Sequence, residues 1–227
     1  MNIIKSSGEK LISELLANPD KFYKQGKAYQ LLQEYFHGLP LDTLKPLLSH
    51  INGNVRGTAV FVASELGGKA KCLIQEITSL INDPDKKIQW DALESVMTCS
   101  TGTDVEKFIF VVKELESSDD SISRLAMRLV SNADLSQLEA GFKLSHTLGP
   151  FGKLHEHGLS MLLRGNSITE ADIISMLKNP EPLDRIYGAI AAKRLFRHHP
   201  KFLEIASSSL DSKISRFSSE ALDTLGN

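Results

Sequence analysis

What most constrains this chain is a small residue that returns at nearly constant spacing inside apolar-periodic segments: Ala28, Ala59, Ala92, Ala126, Gly158, Ala189 and Ala221. The intervals are 31, 33, 34, 32, 31 and 32 residues. A period of that length, sustained from end to end, marks an array of stacked supersecondary units, none of which can bury its apolar face alone.

The residues around each anchor repeat as well. An apolar or aromatic residue follows it directly (Tyr29, Val60, Leu93, Met127, Leu159, Ile190, Leu222), and Val55, Ile88, Ile122, Leu154 and Phe217 stand four places before it. Lys24 and Arg185 break that second column in the first and sixth units. Further back stand Leu16, Leu47 and Leu48, Leu80 and Ile81, Leu115, Leu148, Leu177 and Leu210. Positions i, i+4 and i+7 or i+8 share one face of a helix, so each period predicts two amphipathic helices, about fourteen in all. The anchor is small because a second helix must cross there. Ser6-x-x-Glu9, Thr103-x-x-Glu106, Ser136-x-x-Glu139 and Ser167-x-x-Glu170 read as capping boxes opening first helices. Turns read from Asn18-Pro19-Asp20, Asn82-Asp83-Pro84-Asp85 and Asn179-Pro180-Glu181-Pro182, with proline at a helix start where it is tolerated. No strand pattern emerges.

The segment Leu47-Leu48-x-x-Ile51-x-x-x-Val55-Arg56-x-x-Ala59-x-x-x-Ala63-x-x-Leu66-Gly67 resembles a HEAT repeat, and Leu80 through Ile88, Ala92 and Val96 resembles a second. The resemblance runs from about residue 6 to 226. It implies an all-α fold: a right-handed α-α superhelix, a HEAT-like solenoid of about seven two-helix repeats in a single domain over 1–227. The fifth unit, about 136–165, departs most, with Gly141, Gly149, Pro150, Gly152, Gly158 and Gly165, and is expected to carry short or kinked helices.

Composition narrows the function. Lys and Arg number 26 against 28 Asp and Glu, a formal charge of −2, and no basic block of five or more occurs, which argues against a broad nucleic-acid footprint. Met1–Lys10 lacks an apolar core of signal-peptide length, no apolar run could span a bilayer, and the two cysteines, Cys72 and Cys99, form no CxxC. A cytoplasmic location is expected. HExxH, GxSxG, GxGxxG and GxxxxGK[ST] are absent, so no catalytic residue, metal or cofactor is assigned. His155 and His157 lie about 200° apart on a helix, unsuited to joint ligation, and are expected to be ordinary, partly exposed histidines. Asp83, Asp85, Asp119 and Asp120 fall at inter-helix turns and read as caps.

In arrays of this kind the second helices line the concave surface. Residues two before, two after and five after each anchor should therefore face a partner. Those columns hold the only tryptophan, Trp90, with Phe61, Glu94, Met97, Arg124, Arg128, Tyr187 and Arg194. Aromatic residues, Met and Arg are enriched at interface centres, so these eight are the expected partner-binding residues. A second basic cluster, Lys193-Arg194-x-x-Arg197-His198-His199-x-Lys201, suits a helix C-terminus, with an acidic or phosphate partner as the competing reading. The expected function is non-enzymatic binding of another protein, in its most concrete form a bacterial immunity or antitoxin-like protein that blocks a toxin domain. The alternatives are a HEAT-like alkylpurine DNA glycosylase, for which Trp90, Glu94 and Arg124 would serve, a chaperone or assembly scaffold, and a HEAT-type lyase subunit.

Overall fold

Each period of the sequence folds as a pair of helices. The computed structural model describes residues 6–225, which fall into two compact units, one ending at Ser100 and one beginning at Thr101. The leader segment weighed above begins with residues 1–5, outside the described residues. The first unit contains α1 (Ser7–Ala17), α2 (Pro19–Lys24), α3 (Ala28–Phe36), α4 (Lys45–Leu48), α5 (Gly53–Leu66), α6 (Ile74–Ser79) and α7 (Lys86–Cys99). The second contains α8 (Phe108–Lys113), α9 (Asp120–Ser131), α10 (Leu135–Ser145), α11 (Gly149–Leu163), α12 (Glu170–Leu177), α13 (Pro182–Arg194), α14 (Pro200–Ser207) and α15 (Ser212–Leu225). No strand occurs among the described residues, and no described helix is long and apolar enough to cross a membrane.

Among the described residues fifteen α-helices stand in seven pairs plus one, because the second helix of the first repeat is broken. Gln25-Gly26-Lys27 interrupts it, and Gly26 sits at φ +65°, a conformation that costs an L side chain roughly 1–2 kcal/mol per residue. Short stretches of 3-10 helix, such as Leu41–Leu44 and Glu114–Glu116, complete several first helices.

The anchors Ala59, Ala92, Ala126 and Ala189 are wholly buried, and Ala221 nearly so. Gly158 is buried too, and its place shows why a small residue is needed. A Cβ there would stand 2.0 Å from the Tyr187 ring of α13. Ala28 is only half-buried, because it opens α3 after the break. The flanking columns hold in the second to fourth repeats and fail at isolated positions in the first, fifth and seventh. Leu16, Tyr29, Leu154 and Leu210 are exposed, while Leu15, Leu31, Leu203 and Ala206 fill the adjacent core.

Within the first unit α3 packs on α5 and α5 on α7, each repeat on its neighbour. Arg56 of α5 ties the last two of these repeats together. Its Nε and Nη2 donate to Asp83 Oδ2 and Oδ1 at 2.6 and 3.1 Å, while Nη1 donates to the carbonyls of His50 and Ile51. Burial alone would raise the Asp83 pKa, but the Arg56 fork and the Asp85 amide outweigh it and hold it below its usual value. Asp85 and Asp119 cap α7 and α9, as their turn positions predict. Ser6 and Glu9 form the expected capping box on α1. The other three boxes are corrected. Asp134 and Gln137 cap α10, and Thr169 and Asp172 cap α12, two residues on either side of the predicted pairs, because these residues reach the free amides first. Thr103 opens no helix: residues 102–107 are 3-10 and Thr103 donates to Asp104.

The second unit is not a simple stack of neighbours. Its fourth-repeat helix α9 packs directly on α13 and α15, from the sixth and seventh repeats, as well as on its own partner α8. The irregular fifth repeat, α10 and α11, allows this: α10 packs on α8, α11 packs on α13, and α9 is left to be covered by the later repeats.

Candidate functional site

In the first unit the break at Gly26 opens a groove among the second helices. Tyr23, Gly26, Ala28 and Tyr29 form one wall, Gly53, Asn54, Gly57, Thr58 and Phe61 of α5 the floor, and Asp85, Lys87, Ile88 and Asp91 the other wall, around a cavity of about 360 Å³. Tyr23 and Tyr29 are 58% and 60% exposed, and the Tyr29 ring lies 5.7 Å from that of Phe61 at 53°. That tilted arrangement suits the ring quadrupoles and leaves aromatic surface facing the solvent. The groove is open because glycine stands twice where the repeat would present a side chain outward, at Gly26 in the wall and Gly57 in the floor.

The acidic wall is organised. Lys87 Nζ donates to both Asp91 oxygens, at 2.9 and 3.1 Å, and the Lys87 amide donates to Asp85. Burial raises the Asp91 pKa, with the Lys87 contact opposing it. Trp90, Glu94 and Met97 are half-buried on α7, on the stripe that Lys87 and Asp91 begin, since residues three and four apart share a helix face. Phe61 is half-buried in the floor.

The second unit places the remaining expected residues differently. Arg124 is half-buried and Arg128 exposed, one turn apart on α9. Tyr187 is corrected. It is fully buried, pressed on Gly158, with its hydroxyl 2.9 Å from His155 Nδ1. Its column faces outward in the first unit, but in the sixth repeat α11 lies against it through Gly158 and His155. His155 is corrected with it, being fully buried rather than partly exposed. Its Nε2 lies 2.8 Å from Glu116 Oε1. A carboxylate only accepts, so the neutral ring carries its proton on Nε2 and accepts from Tyr187 at Nδ1. Burial lowers the His155 pKa, against the Glu116 contact. His157, by contrast, is exposed and pairs with Asp184 at 2.9 Å.

Arg194 is also corrected from a partner-facing residue to an internal cap. Its Nη1 donates to the carbonyls of Val130, Ser131 and Ala133, at 3.3, 3.2 and 2.7 Å. These lie at and just beyond the C-terminal end of α9, where carbonyls lack intrahelical donors. Tyr23, Tyr29, Asp85 and Asp91 were not among the expected residues. The legible signal was Lys24, a charge where the helical pattern needed an apolar residue, with Gly26 two places on. Among the described residues no group of three His, Cys, Asp or Glu side chains is placed to hold a metal.

No family model matches the chain, and no curated protein matches it. Among solved structures it is similar to an archaeal HEAT-like repeats protein from Thermococcus onnurineus NA1, at 13% identity and TM-score 0.51, over 99% of this chain and 98% of that one. It is also similar to a designed armadillo repeat protein in complex with the peptide (KR)4, at 12% identity and TM-score 0.51, over 96% of this chain and 99% of that one. At such identities the likeness speaks to the fold, which is one of HEAT-like helical repeats.

Proposed function

We propose that this HEAT-like repeat chain is a binding protein whose first unit receives a segment of a partner protein in the groove of Tyr23, Tyr29 and Phe61. The observation that carries the reading is the pair of exposed tyrosines held over a floor that Gly53 and Gly57 keep low, an arrangement with large apolar area at little entropic cost. Trp90, Glu94 and Met97 extend the same surface along α7. The groove's two carboxylates support binding rather than a reaction, since Asp85 caps α7 and Asp91 holds Lys87. The designed armadillo neighbour, solved in complex with the peptide (KR)4, offers an analogy for a helical repeat protein that receives a peptide.

The narrower form of the proposal is that the partner is a toxin domain blocked by this protein. Affinity capture with the full chain tests both levels. One partner held through a high-salt wash, bound at nanomolar affinity and neutralised on co-expression, supports the narrower form. Several weaker partners would replace it with a scaffold role. A captured partner that binds equally well after Tyr23→Ala and Tyr29→Ala together would overturn the groove itself.

A further inference from the structure

The groove of the first unit carries negative charge on one wall and aromatic surface on the other. Asp91 is only 6% exposed, yet among the described residues Lys87 alone donates to its carboxylate, and the Lys87 side chain is itself 65% exposed. Asp85 stands on the same wall, its Oδ1 taken by the Lys87 amide. Asp20, in the first turn of α2, accepts from Asn54 of the floor. Lys87 is the one cation among the described residues that line the groove.

A buried carboxylate needs a cation, and here the cation is one that moves easily. An exposed lysine one turn away on the same helix is a weak partner, because solvent screens the pair and the long side chain loses rotamer freedom in holding it. Burial raises the Asp91 pKa most, and Glu94 and Glu65 add to it against the Lys87 contact. The carboxylate therefore lies in a field of its own sign that one ammonium does not balance. Across the groove stand Tyr23 and Tyr29, whose ring faces attract cations and whose exposed surface accepts the aliphatic stem of a long basic side chain.

We infer that Lys87 is a placeholder: the partner's segment carries an arginine whose guanidinium replaces Lys87 on Asp91, with its stem laid on the tyrosine rings. This rests on the reading of the groove as the binding surface and adds the chemistry of its occupant. A guanidinium fork meets a carboxylate through two bonds at once and stacks on an aromatic face, which an ammonium does less well. Lys87 is released to solvent, where most of its side chain already lies, so Asp91 has a cation before and after the exchange.

The test uses the full chain and a fluorescein-labelled peptide of alternating alanine and arginine, with its citrulline and glutamate counterparts as comparison probes, all at one salt concentration. The arginine peptide should bind about tenfold more tightly than either counterpart. Asp91→Asn, which keeps the shape and removes the charge, should weaken it about tenfold, and Lys87→Met should tighten it about threefold. Both variants break the same intramolecular pair, so opposite changes in affinity separate the exchange from a general effect on the fold. Tyr23→Ala with Tyr29→Ala, on the same probes, should weaken binding about tenfold. Arginine and citrulline peptides that bind alike, or a Lys87→Met variant no tighter than wild type, would overturn the inference. So would unchanged affinity in Asp91→Asn; in each of these cases a tyrosine variant that still loses the peptide leaves the groove standing. A tyrosine variant with wild-type affinity would overturn the groove reading, and this inference with it.

Discussion

The two units solve one problem differently. Both are built from the same helical pair, and both leave second helices with faces that no first helix covers. In the first unit each second helix packs on the next, α3 on α5 and α5 on α7, and the uncovered face stays open between Tyr29, Phe61 and Asp91. In the second unit α13 and α15 close over α9, and polar contacts join them to it: Arg194 on the last carbonyls of α9 and Lys213 on Asp120. A pure nearest-neighbour stack is one way to use a repeat. A single irregular repeat is enough to depart from it.

Glycine substitutions should break this comparison most sharply. Gly158→Ala would drive a methyl group to 2.0 Å from Tyr187, and the second unit should lose about 3 kcal/mol or more, read as a fall in the denaturation midpoint. In the first unit Gly57→Ala meets only Ile88 at 3.5 Å, so it should gain about 0.5 kcal/mol through the lower entropy of the unfolded chain. Equal effects at the two sites would mean the crossings are alike. Removing the Arg194 cap comes next. Arg194→Ala leaves three carbonyls at the end of α9 without this donor and should cost about 2 kcal/mol, with faster amide exchange in α9 than in α5.

Lys193→Met should act with the opposite sign, stabilising by roughly 1 kcal/mol near pH 7. Its folded pKa of about 8 lies below the usual 10.5, so the unfolded chain binds more protons between those values. Wild-type stability should therefore rise relative to Lys193→Met as the pH climbs from about 8 to 10.5, and the gap between them should stay constant below about 8. A gap independent of pH across that window would contradict the placement of Lys193. The smallest stability effect is expected in the open groove: Tyr23→Ala with Tyr29→Ala should change unfolding by within about 0.5 kcal/mol.

The repeat was legible because the helical period and the small anchor are imposed by close packing, which leaves few residue choices at Ala59, Ala92, Ala126 and Ala189. Capping was legible only to within two residues, since serine, threonine and aspartate near a turn compete for the same amides, as Asp134 and Thr169 show. The sequence placed Gly26, Gly57 and Phe61 on the outward face, yet it assigned Tyr29 to the core, because an unbroken helix would have turned it inward. Tyr187 and Arg194 were assigned outward on the premise that every repeat contacts its neighbours alone. Tyr187 is covered by α11, and Arg194 reaches the end of α9. That is a property of tertiary packing between repeats and leaves no period in the sequence.

The most direct measurement of the central claim is the affinity of the captured partner for the wild-type chain and for the Tyr23→Ala, Tyr29→Ala double variant, with Tm recorded on the same samples. The expected result is a loss of binding of about 2 kcal/mol or more with Tm nearly unchanged. Unchanged affinity, with or without a change in Tm, would contradict the assignment of the groove as the binding surface.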